Sequence, residues 1–375
     1  MFGGVNLTLM IGPAVPVPVS ADVLNALDSV TVISRATGTS GFELVFRISV
    51  RSPLQTLFLL AGGASIPLVR VVIAVTVSGQ TSVLMDGVMT DHSVSPDAKD
   101  GVTTLTITGE DLSRVMDYLD FSGIPFPAMP PEAQVLACLA KYTLFGVVPT
   151  VIPSVLLDVP IPTVQIARQQ GTDLKHIRRL ASMVGYVFYV SPGPVVGSSV
   201  AYWGPEIKWG PVQPALAIDA DAASNVDSLS FTFNNEKRSL PILWIQEPIT
   251  KAPVPIPIPN INPLTPPLGA VPPIPKHFPF INGTAKLPPV RALLIGLAKS
   301  AQAADAVTAT GSLDVLRYGQ VLSARSLVGL RGAGTAFDGL WYVSSVTHQL
   351  KRGEYKERFT LSRDGLVSTV PSVTV

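Results

Sequence analysis

The 375-residue chain sets 27 basic against 26 acidic residues, a formal net charge of +1, which excludes the concentrated positive field that nucleic-acid binding requires. Charged residues make up only 14% and apolar residues 47%, so the surface is less ionised than that of an ordinary soluble domain, about 25% charged, and is suited to cover by partners. The single cysteine, Cys138, excludes an intrachain disulfide and reads as a small buried hydrophobe.

The mean hydropathy of +0.41 raises the question of a membrane protein. The most apolar window, 54–77, is interrupted by Gln55, Pro67, Arg70 and two glycines, so no spanning helix is expected. The N-terminus lacks a basic n-region, so no signal peptide is expected. An outer-membrane β-barrel is disfavoured by that feature and by the prolines described below.

Residues 1–125 read as a β-rich domain. Strands are predicted at 5–11, 29–34, 42–50, 69–78, 82–93 and 102–108, rich in Val, Ile and Thr and separated by Gly, Pro and Asp. Phe42, Leu44, Phe46 and Ile48 alternate with Glu43, Val45, Arg47 and Ser49, the pattern of a half-buried strand. Such strands close on themselves or pack as a sandwich. A short helix is predicted at 109–118.

Residues 126–247 change to mixed α and β. Pro130 and Pro131 open a helix running to Ala140. The next helix, 172–184, has Thr172 as N-cap, Asp173 at its positive end, an apolar stripe of Leu174, Ile177, Leu180, Ala181 and Val184, and Gly185 as its stop. Lys175, His176, Arg178 and Arg179 fall on the other side and read as a solvated face. A strand follows at 186–190.

Residues 248–289 hold 14 of the chain's 35 prolines, including the alternation Pro253, Pro255, Pro257, Pro259. Proline removes backbone donors and favours extended chain, so the segment reads as a semi-rigid arm and neither sheet nor helix. Its Ile, Val and Phe residues need a surface to lie against, such as a neighbouring copy. In 290–375 a helix at 290–305 leads into a second β-rich region, and a short tail follows Leu366.

That region ends in a hairpin. With Arg352 and Gly353 as the turn, Leu350 faces Tyr355, His348 faces Glu357 and Val346 faces Phe359, so one register satisfies three cross-strand pairs. Lys356, Arg358, Thr360 and Ser362 form the outward face.

Catalytic, cofactor-binding and metal residues are predicted to be none. His92, His176, His277 and His348 are far apart and match no metal spacing. Asp117 and Asp120 sit by a helix end, where capping roles dominate, and no GxSxG elbow occurs. The run 329–339, GLRGAGTAFDG, lacks a following Lys-Ser/Thr and has Phe337 where GxGxxG needs its third glycine. A loop between strands is the better account.

Two segments carry a resemblance. GTDLKHIRRLASMVGYVFYV at 171–190 resembles the helix-then-strand signature of the late control D family, baseplate hub proteins of contractile-tailed phages and related injection systems. The run from 311 to 334 and on through RGEYKERFTLSRDGL is similar to the end of the hub in extracellular, phage-tail-like particles. The resemblance implies a mainly β fold with α+β insertions: two related β-barrel tube-type domains, a mixed α/β middle segment and the Pro-rich arm, where it departs from the family. It further implies a homotrimer that joins a six-fold inner tube to a three-fold spike, with a separate spike protein and other baseplate subunits as partners. Such a chain would assemble in the bacterial cytoplasm into a virion or an extracellular injection particle. It would be a structural protein with no cofactor, the alternative being a tail-associated cell-wall hydrolase.

Overall fold

The computed structural model describes residues 4–13, 15–49, 68–96, 102–154, 166–219, 224–246, 252–258, 265–281, 289–302 and 305–370. The N-terminal strands form where β-branched residues alternate with polar ones: β1 (Asn6–Gly12), β2 (Leu27–Arg35), β3 (Gly41–Ser49), β4 (Arg70–Val77), β5 (Gln80–Pro96) and β6 (Val102–Asp111). The helix expected at 109–118 is a 3-10 turn, Leu112–Asp117. Asp111 shortens it, because its carboxylate accepts the backbone N–H groups of both Ser113 and Ser40 and keeps 109–111 in the strand. Part of the apolar window, residues 54–67, lies outside the described residues. No helix among the described residues is long and apolar enough to cross a membrane.

The middle of the chain contains α1 (Pro131–Leu139), β7 (Val147–Val151), α2 (Asp173–Val184), β8 (Val187–Pro192) and β9 (Ser199–Gly204). Strand β9 pairs antiparallel with β8 and parallel with β7. The helices cover this small sheet around Trp203, Val135, Leu139, Ile177 and Val190, all buried. Thr172 caps α2 by accepting the Lys175 N–H, and Gly185 ends it at φ +73°. Arg70 fastens this unit to the first strands: its guanidinium makes paired bonds to Asp86 at 2.7 and 2.6 Å and donates to the Gly197 carbonyl at 2.9 Å. Ser199 completes the group by donating to Asp86 at 3.0 Å, so the one cation in that apolar run is fully buried and matched.

Strands β10 (Val212–Ala217) and β11 (Val226–Phe233) lead to β12 (Ile242–Gln246), β13 (Pro253–Pro257) and helix α3 (Pro289–Gln302). The arm was expected to avoid sheet structure, and this is corrected: β13 pairs antiparallel with β12, which also pairs parallel with Phe280–Ile281. The spacing of the prolines explains it. Ile258 N–H bonds to the Pro241 carbonyl, which places Pro257, Pro255 and Pro253 at the non-hydrogen-bonded positions of the ladder, while Ile256 and Val254 carry the donors. Leu243, Ile258 and Ile281 bury themselves against Ala292 of α3. Gly269–Val271 pairs with Leu366–Ser368, so the C-terminal tail is held by the arm through Ser368; residues 371–375 lie outside the described residues.

The last strands are β14 (Val307–Asp314), β15 (Leu327–Arg331), β16 (Gly339–Lys351) and β17 (Glu354–Arg363). The hairpin has the expected register, with Leu350 opposite Tyr355, His348 opposite Glu357 and Val346 opposite Phe359. Ser362 departs from the outward face: a bulge between Val343 and Ser345 shifts the ladder, and Ser362 is buried with its hydroxyl on Asp305.

The fold is mainly β with α/β insertions, and its two β-rich regions are joined. Residues Ser29–Arg35 of β2 pair along Ser345–Lys351 of β16, making one 13-stranded sheet with β11 near one end and β1 near the other. A single apolar core runs beneath both halves, from Leu9, Leu44 and Ile73 to Trp341, Val346 and Leu361. The two expected barrels are therefore not separately closed among the described residues, because the strand that would close the first is hydrogen-bonded to the second.

Candidate functional site

Apart from β4, which is buried on both faces, the sheet turns one face to the core and one outward, and the outer face is rich in hydroxyls. Register alignment gives its rows. Ser230 lies opposite Thr310, Thr310 opposite Thr360, and Thr360 opposite Ser345. Ser228, Ser312, Arg358 and Thr347 form the next row. Across the junction, Thr31, Glu43, Thr108 and Asp91 continue the pattern. Thr and Ser suit such positions because a β-branched or small side chain fits the pleat while its hydroxyl finds a cross-strand partner. Ser228 and Ser312 hydroxyls lie 2.8 Å apart, as do those of Ser230 and Thr310.

Two shallow grooves cross this face, one of about 570 Å³ lined by Ser228, Thr310, Ser345 and Arg358, the other of about 430 Å³ lined by Thr31, Arg35, Glu43 and Thr108. Four of these hydroxyls bond to each other in pairs, Ser228 with Ser312 and Ser230 with Thr310, an arrangement that suits a contact surface. Apolar exposure concentrates elsewhere. On the arm, Val254, Ile256, Phe278 and Phe280 are exposed, and Phe280 stacks on Trp244 at 5.7 Å. Strand β11, at the sheet's end, leaves Phe233 exposed beside an outer edge that is unpaired among the described residues.

The residues weighed for chemistry are dispersed. His92 lies on the outward half of β5, His277 is exposed on the arm, and His348 is buried with Nδ1 3.0 Å from Glu357 and 3.1 Å from the Tyr355 hydroxyl. The Glu357 carboxylate also accepts the Leu322 N–H, which fixes the loop before β15. Asp117 accepts the Thr172 hydroxyl and Asp120 accepts the Ser122 N–H, so both organise the start of α2. Cys138 is buried, and burial pushes its thiol up to about 12. Among the described residues no group of three or more His, Cys, Asp and Glu is placed to hold a metal ion.

The basic face expected on α2 is only partly solvated. Lys175 and Arg178 are exposed, but His176 is fully buried, stacked 5.5 Å from Phe126, with Nε2 3.2 Å from the Gln134 side-chain oxygen. Burial, reinforced by the Arg179 charge, lowers its pKa to about 4, so the ring is neutral. His176 lies off the apolar stripe and is buried all the same, because α2 is covered on two sides, by α1 and by the small sheet.

The glycine-rich run is the loop expected between β15 and β16, and its organiser is a cation. Buried Arg363 donates to the carbonyls of Ala336 at 2.7 Å, Asp338 at 3.1 Å and Gly365 at 2.8 Å. The loop is thus a cradle of carbonyls around a guanidinium, the reverse of a phosphate cradle. Gly332 is required in it, since at φ +83° a Cβ would lie 1.8 Å from the Ile218 carbonyl oxygen.

No protein-family model and no curated protein sequence matches the chain. Solved structures do. A tail protein from Neisseria meningitidis MC58 superposes with a TM-score of 0.63 at 14% identity, covering 97% of this chain and 98% of that one. The 43 kDa tail protein of prophage MuSo2 from Shewanella oneidensis gives 0.63 at 12% identity, over 96% and 100%. A component of the type VI secretion system from E. coli gives 0.53 at 11% identity, over 90% and 73%. Along nearly its whole length, the chain has the fold of these phage tail proteins.

Proposed function

We propose that the chain is a structural hub subunit of a contractile phage tail or a tail-like injection particle, working as a homotrimer that joins the inner tube to a spike. The observation that carries this reading is the end-to-end match to two tail proteins, with no large part of either chain left over. In this reading the β-rich regions 1–125 and 290–375 act as the two tube-type units of each subunit, 126–247 braces them, and the arm 248–289 contacts neighbours.

The physical features agree with that role. A hub resists mechanical load through broad interfaces and needs no turnover. A chain with only 14% charged residues and with exposed aromatics on the arm favours burial by neighbours. The outer edge of β11, unpaired among the described residues, offers backbone donors and acceptors that a neighbouring strand can complete. A hydroxyl-rich face carrying charges of both signs, Arg358 with Glu43 and Asp91, suits a wall that other molecules touch without tight adhesion. The reading is tested by imaging the purified protein by negative-stain electron microscopy. Closed three-fold rings are expected, and dispersed single subunits at high concentration would oppose it.

A further inference from the structure

Lys208, in the segment that follows β9, and Asp305, just before β14, are 97 positions apart in the chain and meet where the middle unit touches the last strands. The Lys208 Nζ is 2.9 Å from Asp305 Oδ2 and 3.9 Å from Glu206 Oε1. The same Asp305 oxygen accepts the Ser362 hydroxyl at 2.8 Å. Tyr342 closes one side, with its ring centre 5.3 Å from Nζ. Water is largely excluded, since Lys208, Glu206 and Asp305 expose only 8%, 16% and 21% of their side chains.

An amine, a carboxyl and a second carboxyl held together away from water are the components of an amide condensation. In bulk water a lysine and an aspartate do not condense, because hydration keeps both ionised and the ammonium has no free lone pair. Burial weakens that hydration and brings the neutral amine and acid, one proton transfer away along the 2.9 Å contact, within reach. Burial pushes the Lys208 ammonium down, but the charges of Asp305 and Glu206 outweigh it, so the pair starts ionised. Burial holds the Glu206 carboxyl above its ordinary value, which suits it to accept a proton and hand it on. Asp364, whose charge also acts on Lys208, is occupied by the Leu268 and Gly269 N–H groups, which leaves Glu206 as the relay.

We propose that Lys208 and Asp305 condense into an intramolecular isopeptide bond, with Glu206 relaying the proton. One ammonium proton passes to Asp305 Oδ2 and leaves a neutral amine beside a neutral carboxyl. The Nζ lone pair then attacks Cγ, at the short range where reacting groups gain most from being held together. Glu206 takes a second proton from the nitrogen and returns it to Oδ2. The Nζ–Cγ bond is formed, the Cγ–Oδ2 bond breaks, and Oδ2, the oxygen that Ser362 also contacts, leaves as water. The third ammonium proton stays on the amide nitrogen, so atoms and charge balance with no oxidant, metal or other reactant. The product fastens the segment after β9 to the start of β14 by a covalent bond. The proposal rests on the placement of three side chains and holds whether or not the chain assembles into a ring.

Mass spectrometry of the purified full-length protein tests it before any residue is changed. The intact mass is expected to be lower than that of the unlinked chain by one water molecule. After denaturation and trypsin digestion, cleavage after Lys208 should be lost, and a branched peptide should join the stretch containing Lys208 to the one containing Asp305. Glu206→Gln keeps the size of the side chain and the Lys208–Asp305 contact but removes the relay, so the freshly purified variant should be largely unlinked. Lys208→Arg keeps the charge pair and should have no link at all. If either variant fails to fold, the peptide map of the unaltered protein still decides. Cleavage after Lys208 with two separate peptides in the unaltered protein, or a fully linked Glu206→Gln chain, would overturn the proposal.

Discussion

The Arg363 guanidinium lies 4.4 Å from the centre of the Trp341 ring, sandwiched between that aromatic face and the carbonyls of the loop it organises. Burial lowers its pKa to about 10, still charged at neutral pH, so its neighbours supply what water would otherwise give. Arg363→Met keeps the stem but strands several carbonyls, and a loss of about 3 kcal/mol in urea unfolding is expected. Arg363→Lys should recover only part of it, since one ammonium cannot span the same carbonyls.

Phe359 and Gly311 face each other across β17 and β14. The ring occupies the space above the glycine, where a Cβ would meet it at 2.6 Å and the Ser228 carbonyl at 2.5 Å. Phe359→Ala is expected to cost about 3–5 kcal/mol by opening a cavity in the shared core. Gly311→Ala is expected to cost about 1–3 kcal/mol by overpacking, measured by the same unfolding midpoints.

His176 sets a pH dependence. Its folded pKa lies near 4, below the ordinary value of 6.5, so the unfolded chain binds the proton first as pH falls. The stability it contributes is complete above about pH 6.5 and is lost between there and pH 4. Unfolding midpoints at pH 7 and pH 4.5 should differ more for the natural chain than for His176→Asn, and identical shifts in the two would count against the buried, neutral ring.

The prolines of β13 stand on the outer side of its ladder, where they withhold donors from any approaching strand. Replacing Pro253, Pro255 and Pro257 together by Val should leave the hairpin intact and increase self-association in light scattering. Val254→Pro should instead remove an inward donor and release β13 from β12. Both outcomes follow from the register, and equal behaviour of the two variants would refute it.

Local features were legible in the sequence. The hairpin register follows from period-two alternation around Arg352-Gly353, and α2 is bounded by Thr172 and Gly185 because capping chemistry is local. The arm's sheet was not legible from proline content alone, since what matters is which side of the ladder each proline occupies. The union of the two β-rich regions depends on β2 meeting β16, a pairing of residues more than 300 positions apart that no window of sequence contains. Burial of His176 was hidden for the same reason, its cover coming from Phe126 and Gln134 on distant segments.

The most direct test of the central claim is the mass of the purified full-length protein by native mass spectrometry. The account predicts a homotrimer that persists on dilution into the low micromolar range; a species with the mass of one chain at every concentration would contradict it.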